Sequence, residues 1–175
     1  MAYLTEFVEL NKGIHDRESF DCGNNELNNF IKTQAAKHAK QSISKTYVLP
    51  SAKKLDNGMS SICAFYTLSP ASLDRETLPS DTSKKLPHYP IPVILLGQLA
   101  VNNNFKGHGL GKITLIKALK FAQTISNDIG GYAVVVDCLD KSIEKFYCKY
   151  GFQEIERING KMKMFLPMKT IKALP

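Results

Sequence analysis

With 175 residues, 43% apolar and 22% charged, the chain is sized for one domain around one sizeable core, and its composition excludes the disordered class. No run approaches the roughly 18 consecutive apolar residues of a membrane helix, which excludes a helical span. A surplus of 23 Lys and Arg over 16 Asp and Glu gives a net charge of +7 and favours a polyanionic partner, because neutralising phosphates releases counterions.

Tyr3–Leu10 mixes β-branched and aromatic residues with polar ones and predicts a short strand. From Asn24 or Asn25 the apolar residues Leu27, Phe30, Ile31 and Ala35 fall at helical spacing, with Asp21 and Asn24 as caps, so a helix is expected to about Gln41. Thr46–Pro50 and Ser61–Leu68 are predicted to pair as a hairpin around the turn-rich stretch 53–58. Residues 69–92 carry Pro70, Pro79, Pro87, Pro90 and Pro92 and read as a loop with a helical turn near 71–75. Val93–Val101, apolar on both faces, is a central strand. Leu110, Ile113, Ile116, Leu119 and Ala122 put an apolar stripe on a helix ending near Asp128. Tyr132–Asp137 is a second buried strand, and Ser142–Tyr150 a short helix closed by Gly151. Glu154–Ile158 and Met162–Met168 flank Asn159-Gly160, a two-residue hairpin signal. The sum is an α/β fold with a mixed sheet, one domain over 1–175.

Cys22, Cys63, Cys138 and Cys148 stand apart without a CxxC pair, so neither a zinc ribbon nor a disulfide framework is expected; Cys138 and Cys148 read as buried structural thiols. Glu6, Glu9, Asp16 and Glu18 near the start argue against a secretory signal, and a cytoplasmic location is expected.

The segment with chemistry is Lys106-Gly107-His108-Gly109-Leu110-Gly111-Lys112, between a central strand and an amphipathic helix. Glycines let backbone approach a ligand, and the free N–H groups and dipole of a helix start favour anions, so this reads as a phosphate cradle. Ile113 after Lys112 excludes a Walker loop, and Lys112 itself, where glycine would be needed, excludes a dinucleotide fingerprint. His108 is expected to face phosphate or solvent rather than to act in catalysis.

Lys106, Gly109 and Gly111 resemble the pyrophosphate motif of the GNAT acetyltransferases, Arg/Gln-x-x-Gly-x-Gly/Ala, and the run Ser142 to Phe152 resembles that family's helix ending in a tyrosine before a Gly-Phe turn. Further stretches resemble the GNAT toxins of bacterial toxin-antitoxin modules: Phe20-Asp21-Cys22-Gly23, Leu27-Asn28-Phe30, Thr46-Tyr47-Val48, Tyr66-Thr67-Leu68-Ser69, Pro90-Ile91-Pro92 before Leu96 to Val101, and Val136 to Asp140. The resemblance implies a single-domain GNAT fold that acetylates the amino group of aminoacyl-tRNA with acetyl-CoA and no metal, blocks translation, forms a homodimer and is neutralised by a ribbon-helix-helix antitoxin. It also implies site residues. Leu99, Ala100 and Val101 would present backbone groups to the pantetheine arm and the thioester, and Lys106, Gly107, His108, Gly109, Leu110, Gly111 and Lys112 would cradle the pyrophosphate. Asp140 and Phe146 complete the cofactor contacts, and Tyr147 is the general acid. Gln98, Asn102 and Asp140 depart from the family pattern, which more often has arginine, aspartate and, in many other GNAT enzymes, asparagine there.

A phenol near pKa 10 stays protonated at neutral pH and suits a departing thiolate. An α-amine titrating near 7.7 to 8.0 needs no strong base, which favours aminoacyl-tRNA over lysine side chains. Lys37, Lys40, Lys84 and Lys85 are the candidate phosphate contacts of the RNA. The other readings are a GNAT enzyme acting on a small or protein amine, whose cationic small substrates fit poorly with a net charge of +7, and an inactive GNAT-like binding module.

Overall fold

The computed structural model describes Tyr3 and residues 5–175 and forms a mixed β-sheet flanked by helices. β1 (Val8–Glu9) and β2 (His15–Asp16) precede a helical stretch of α1 (Asn25–Asn29), a π turn (Phe30–Gln34) and α2 (Ala35–Lys40). β3 (Lys45–Lys54), β4 (Ser60–Leu73), a 3-10 turn (Arg75–Thr77) and α3 (Ser80–Ser83) follow. Then come β5 (Ile91–Val101), a second 3-10 turn (Asn103–Phe105), α4 (Leu110–Ile129), β6 (Ala133–Cys138), α5 (Lys141–Lys149), β7 (Gln153–Ile158), β8 (Lys161–Pro167) and α6 (Met168–Lys172). The chain makes two compact units, Met1–Ser69 with Gln98–Ala118, and Pro70–Gly97 with Leu119–Pro175.

In the first unit β3 and β4 form the expected antiparallel hairpin, with Tyr47 opposite Tyr66 and Val48 opposite Phe65. Its turn closes through Leu55 N–H to the Met59 carbonyl (2.8 Å), with Gly58 at φ +82°, a conformation glycine adopts without strain. β1 adds to β3 antiparallel and β2 to β4 in parallel. The core gathers Phe20, Phe30, Ile31, Ala35, Val48, Ile62 and Phe65, where Phe20 meets Phe65 edge-on at 5.2 Å. Asn24 has extended backbone and its side chain accepts from Leu27 N–H (3.0 Å), the N-cap expected from sequence. The helix then widens into the π turn, where the Arg17 guanidinium donates to the Lys32 carbonyl (3.1 Å).

In the second unit β6 is buried from Ala133 to Val136 and again at Cys138 because it is covered on both faces. It pairs in parallel with β5 at Ile94–Val134 and Leu95–Val135, and antiparallel with β8 from Ala133–Pro167 to Cys138–Met162. β7 returns on β8 through Asn159 (φ 51°) and Gly160 (φ 78°), the positive-φ pair of a type I′ turn. Leu73, Leu78, Val93, Val135 and Phe165 form this unit's core.

Several expectations change. Of the strand expected over Tyr3–Leu10, Leu4 lies outside the described residues, Tyr3 makes an isolated bridge to Ser51, and regular pairing is confined to Val8–Glu9. The loop expected from Ser69 begins later, because β4 continues to Leu73, whose buried side chain outweighs the proline at 70. Met168 opens α6, with Met168 and Ile171 buried, instead of ending a strand. α4 buries Leu110, Thr114, Leu115, Ala118, Leu119 and Ala122, whereas Ile113 is 38% exposed. Thr114 fits this face because its hydroxyl donates to the Leu110 carbonyl (2.7 Å). Cys148 is exposed, unlike the buried Cys138.

Candidate functional site

The glycine-rich segment is set by the first unit. Asn102, buried at the end of β5, donates through Nδ2 to the Ile62 carbonyl (3.0 Å) and through its backbone N–H to the Cys63 carbonyl (2.8 Å). Its Oδ1 caps the 3-10 turn by accepting from Asn104 N–H (3.1 Å). An aspartate there has no hydrogen to give the buried Ile62 carbonyl, so asparagine suits this chain. Beyond the turn, Gly107 and Gly109 adopt φ +83° and +75°, and a Cβ added at either meets no protein atom within 4 Å. Packing therefore does not explain these glycines. Their left-handed backbone and the open space above it do, as a ligand approaching the main chain requires.

α4 starts at Leu110 and runs for 20 residues, so its first N–H groups face this opening with the favourable end of the dipole. Leu110 is buried and anchors the helix start, while Gly107, His108, Gly109 and Lys112 are exposed and Gly111 is half-buried. The arrangement fits a pyrophosphate. Leu99 and Val101 are half-buried and Ala100 is buried in the core with Phe65. β5 continues to Val101 although its described pairs with β6 end at Leu95. Lys106 points elsewhere, its ammonium donating to the Cys22 carbonyl at 2.6 Å.

α5 carries the second group of residues. Asp140 caps it, and the bonds it accepts from the Ser142 hydroxyl (2.6 Å), chiefly, and from Ile143 N–H (3.0 Å) hold its carboxyl below the usual range. The Tyr147 ring is buried, edge-on to Phe146 at 5.2 Å and to Phe152 at 5.0 Å. Burial, with a smaller contribution from the Cys138 thiol, pushes its phenol well above the ordinary range, so the proton stays on throughout neutral pH. Burial likewise pushes the Cys138 thiol up to about 12, an inert thiol rather than a nucleophile.

Sequence reading missed Glu144, buried on α5 one turn before Tyr147. Its Oε1 accepts from Arg157 on β7 (2.9 Å), with Lys141 at 3.6 Å, while Oε2 has no hydrogen-bond partner. The signal was its i, i+3 spacing from Tyr147 on the covered face. Arg157→Ala is expected to destabilise the fold by about 1–3 kcal/mol, less than the ~3–5 of a fully enclosed pair because the arginine side chain is 39% exposed. Adding Glu144→Gln should recover part of that loss in denaturant unfolding, since the stranded charge is then gone.

The four RNA candidates are all exposed. Lys37 and Lys40 line a concavity of about 580 Å³ with Glu9, Leu10, Asn11 and Lys12. Glu9 is bridged by Lys45 at 3.0 Å, which leaves the lysines as the dominant charge there. Lys12 had no sequence signal beyond its charge. Lys84 and Lys85, just after α3, belong to the second unit. Among the described residues no helix is long and apolar enough to cross a membrane, and no three His, Cys, Asp or Glu side chains are grouped as a metal would need.

No family model matches the sequence. The chain is 30% identical over 173 residues to the probable toxin TacT of Sinorhizobium fredii, covering 94% of this chain and 92% of that one. It is 28% identical over 159 residues to a tRNA-acetylating toxin of Mycobacterium tuberculosis, covering 91% and 90%. Among solved structures it resembles a tyrosine-to-phenylalanine mutant of KacT, with a TM-score of 0.86, 27% identity and 95% and 96% of the two chains covered. AtaT complexed with acetyl-methionyl-tRNAfMet gives a TM-score of 0.85 at 27% identity, with 95% and 96% covered. With its open glycine loop at the start of α4, its buried tyrosine on α5 and this likeness along nearly its whole length, the chain belongs to the GNAT-fold acetyltransferase toxins.

Proposed function

We propose that the chain is a toxin that transfers acetyl from acetyl-CoA to the α-amino group of an aminoacyl-tRNA and so blocks translation. The observation that carries this reading is the glycine loop, left-handed at Gly107 and Gly109 with no described residue within 4 Å of a Cβ built at either, opening a 20-residue helix. The N–H groups of Gly107, His108, Gly109, Leu110, Gly111 and Lys112 hold the pyrophosphate, Leu99, Ala100 and Val101 offer main-chain groups to the pantetheine arm and thioester, and Phe146 and the Asp140 cap complete the contacts. Bound acetyl-CoA supplies an activated acetyl group. Tyr147 holds the proton that the departing thiolate needs, and the α-amine, titrating near ~8 when free and lower beside the aminoacyl ester, is neutral in sufficient part at neutral pH without a carboxylate base.

In this reading the whole of 1–175 works as one GNAT domain in the cytoplasm, as a homodimer, until a ribbon-helix-helix antitoxin neutralises it. The substrate and the acetyl donor are supported by relatives: AtaT was solved with acetyl-methionyl-tRNAfMet, and AtaTR with acetyl-CoA. The lysines of the concavity, with Lys84 and Lys85, would take RNA phosphates, which position a nucleic acid without reading its sequence. Lys37→Glu with Lys40→Glu is expected to raise KM for aminoacyl-tRNA about tenfold and flatten its salt dependence by roughly two phosphate contacts, with acetyl-CoA affinity unchanged. The test of the function presents enzyme and acetyl-CoA with charged tRNA, uncharged tRNA, free amino acids and lysine peptides. Acetylation of charged tRNA alone is expected; acetylation confined to free amines or peptides overturns the reading.

A further inference from the structure

Lys106 occupies the basic position of the glycine-rich segment, where the motif suggests a side chain on the pyrophosphate. Its ammonium is committed to the Cys22 carbonyl at 2.6 Å, a charge-assisted bond. Three residues earlier, Asn103 N–H donates to the Asp21 carbonyl at 2.8 Å. Two ties thus join the approach to the glycine loop to residues 21 and 22.

Those residues begin a turn that is closed by its own bonds. Asp21 Oδ1 accepts from Gly23 N–H and from Asn28 Nδ2, both at 2.9 Å, and Asn28 Oδ1 accepts from Cys22 N–H at 2.9 Å. The turn is held by these bonds together with the ties from the Asp21 and Cys22 carbonyls to the approach of the glycine loop. Its approach to the loop is close: a Cβ on Gly23, at φ +83°, would stand 3.6 Å from Asn103 Oδ1 and 3.9 Å from Lys106 Nζ. The block leads through the Asn24 cap into α1, the π turn and α2, one continuous helical stretch that ends with Lys37 and Lys40 on the basic concavity.

We propose that Lys106 is a positioning residue and not a phosphate ligand: it anchors the turn of residues 21–28, and with it the Lys37–Lys40 side of the concavity, to the loop that takes the cofactor. This rests on the aminoacyl-tRNA reading for what the concavity binds. A lysine ammonium on a flexible stem suits the role, since it reaches a carbonyl as a point charge without needing a planar partner.

Lys106→Met keeps the aliphatic stem and removes the charge. By calorimetry its acetyl-CoA affinity is expected to stay within about threefold with the same salt dependence, while KM for aminoacyl-tRNA rises about tenfold. Amide exchange of residues 21–28 should accelerate. Lys106→Arg, which still donates to the Cys22 carbonyl, should restore both KM and exchange. A tenfold or greater loss of acetyl-CoA affinity with a flatter salt dependence would place the ammonium on the pyrophosphate and overturn the proposal. Unchanged exchange in Lys106→Met would overturn it too, because the tie would then hold nothing. If the wild-type enzyme acetylates no charged tRNA, the toxin reading fails by itself, and calorimetry with amide exchange still decides whether Lys106 is an anchor.

Discussion

Tyr147→Phe is expected to lower turnover by about 10²- to 10⁴-fold while leaving acetyl-CoA affinity within roughly threefold. The substitution removes only the hydroxyl. The edge-on contacts to Phe146 and Phe152 belong to the ring and survive, so the variant should fold as the parent does. Burial raises the phenol pKa, and the sign follows: the protonated, donating form persists through neutral pH and is lost only above the ordinary phenol range. The pH–rate profile should therefore rise with deprotonation of the acceptor amine, below the ~8 of a free α-amine, and show no falling limb until beyond ~10. Single-turnover acetylation separates this from slow product release. Parental rates in Tyr147→Phe would mean that water delivers the proton.

How much of this was legible in the sequence depended on whether the signal was local. The Asn159-Gly160 hairpin, the Asn24 cap and the glycine turn leading into α4 each depend on a few adjacent residues and form where expected. The α4 stripe emerged at Leu110, Leu119 and Ala122 but not at Ile113, because an apolar count favours Ile113 over Thr114. Only the bond from the Thr114 hydroxyl to the Leu110 carbonyl shows that a polar residue sits comfortably on the covered face. The extension of β4 past Pro70 was hidden for a similar reason, since Leu73 is held by a core assembled from distant residues such as Val93 and Phe165. At the candidate site, residue type singles out Gly109 and Tyr147 for the proposed roles, but gives no partner for Lys106. That partner, Cys22, stands 84 positions away, and no spacing rule reaches so far. Glu144 had only its spacing from Tyr147 to mark it, and its pairing with Arg157 on β7 had no local signal, a buried carboxylate being unexpected until its guanidinium is seen.

Gly109→Val should abolish measurable acetyl-CoA binding and still leave a folded protein. Both halves follow from the same geometry. A Cβ at residue 109 meets no protein atom within 4 Å, so no core contact is disturbed, and the cost to the fold is the left-handed backbone at φ +75°. For a β-branched residue that conformation is a true outlier, worth on the order of 1–2 kcal/mol, which a domain of ordinary stability survives. The ligand fares differently. The side chain would project into the opening in front of α4 where the pyrophosphate must approach the N–H groups, and relief of the strain would turn those N–H groups away from it. Gly109→Ala, with one methyl in the same place, should weaken binding by an intermediate amount. Calorimetry with acetyl-CoA, beside thermal unfolding of the unliganded variants, distinguishes the cases. Retained affinity in Gly109→Val would remove the loop from the cofactor site, whereas loss of the folded transition would mean that the glycine serves the fold instead.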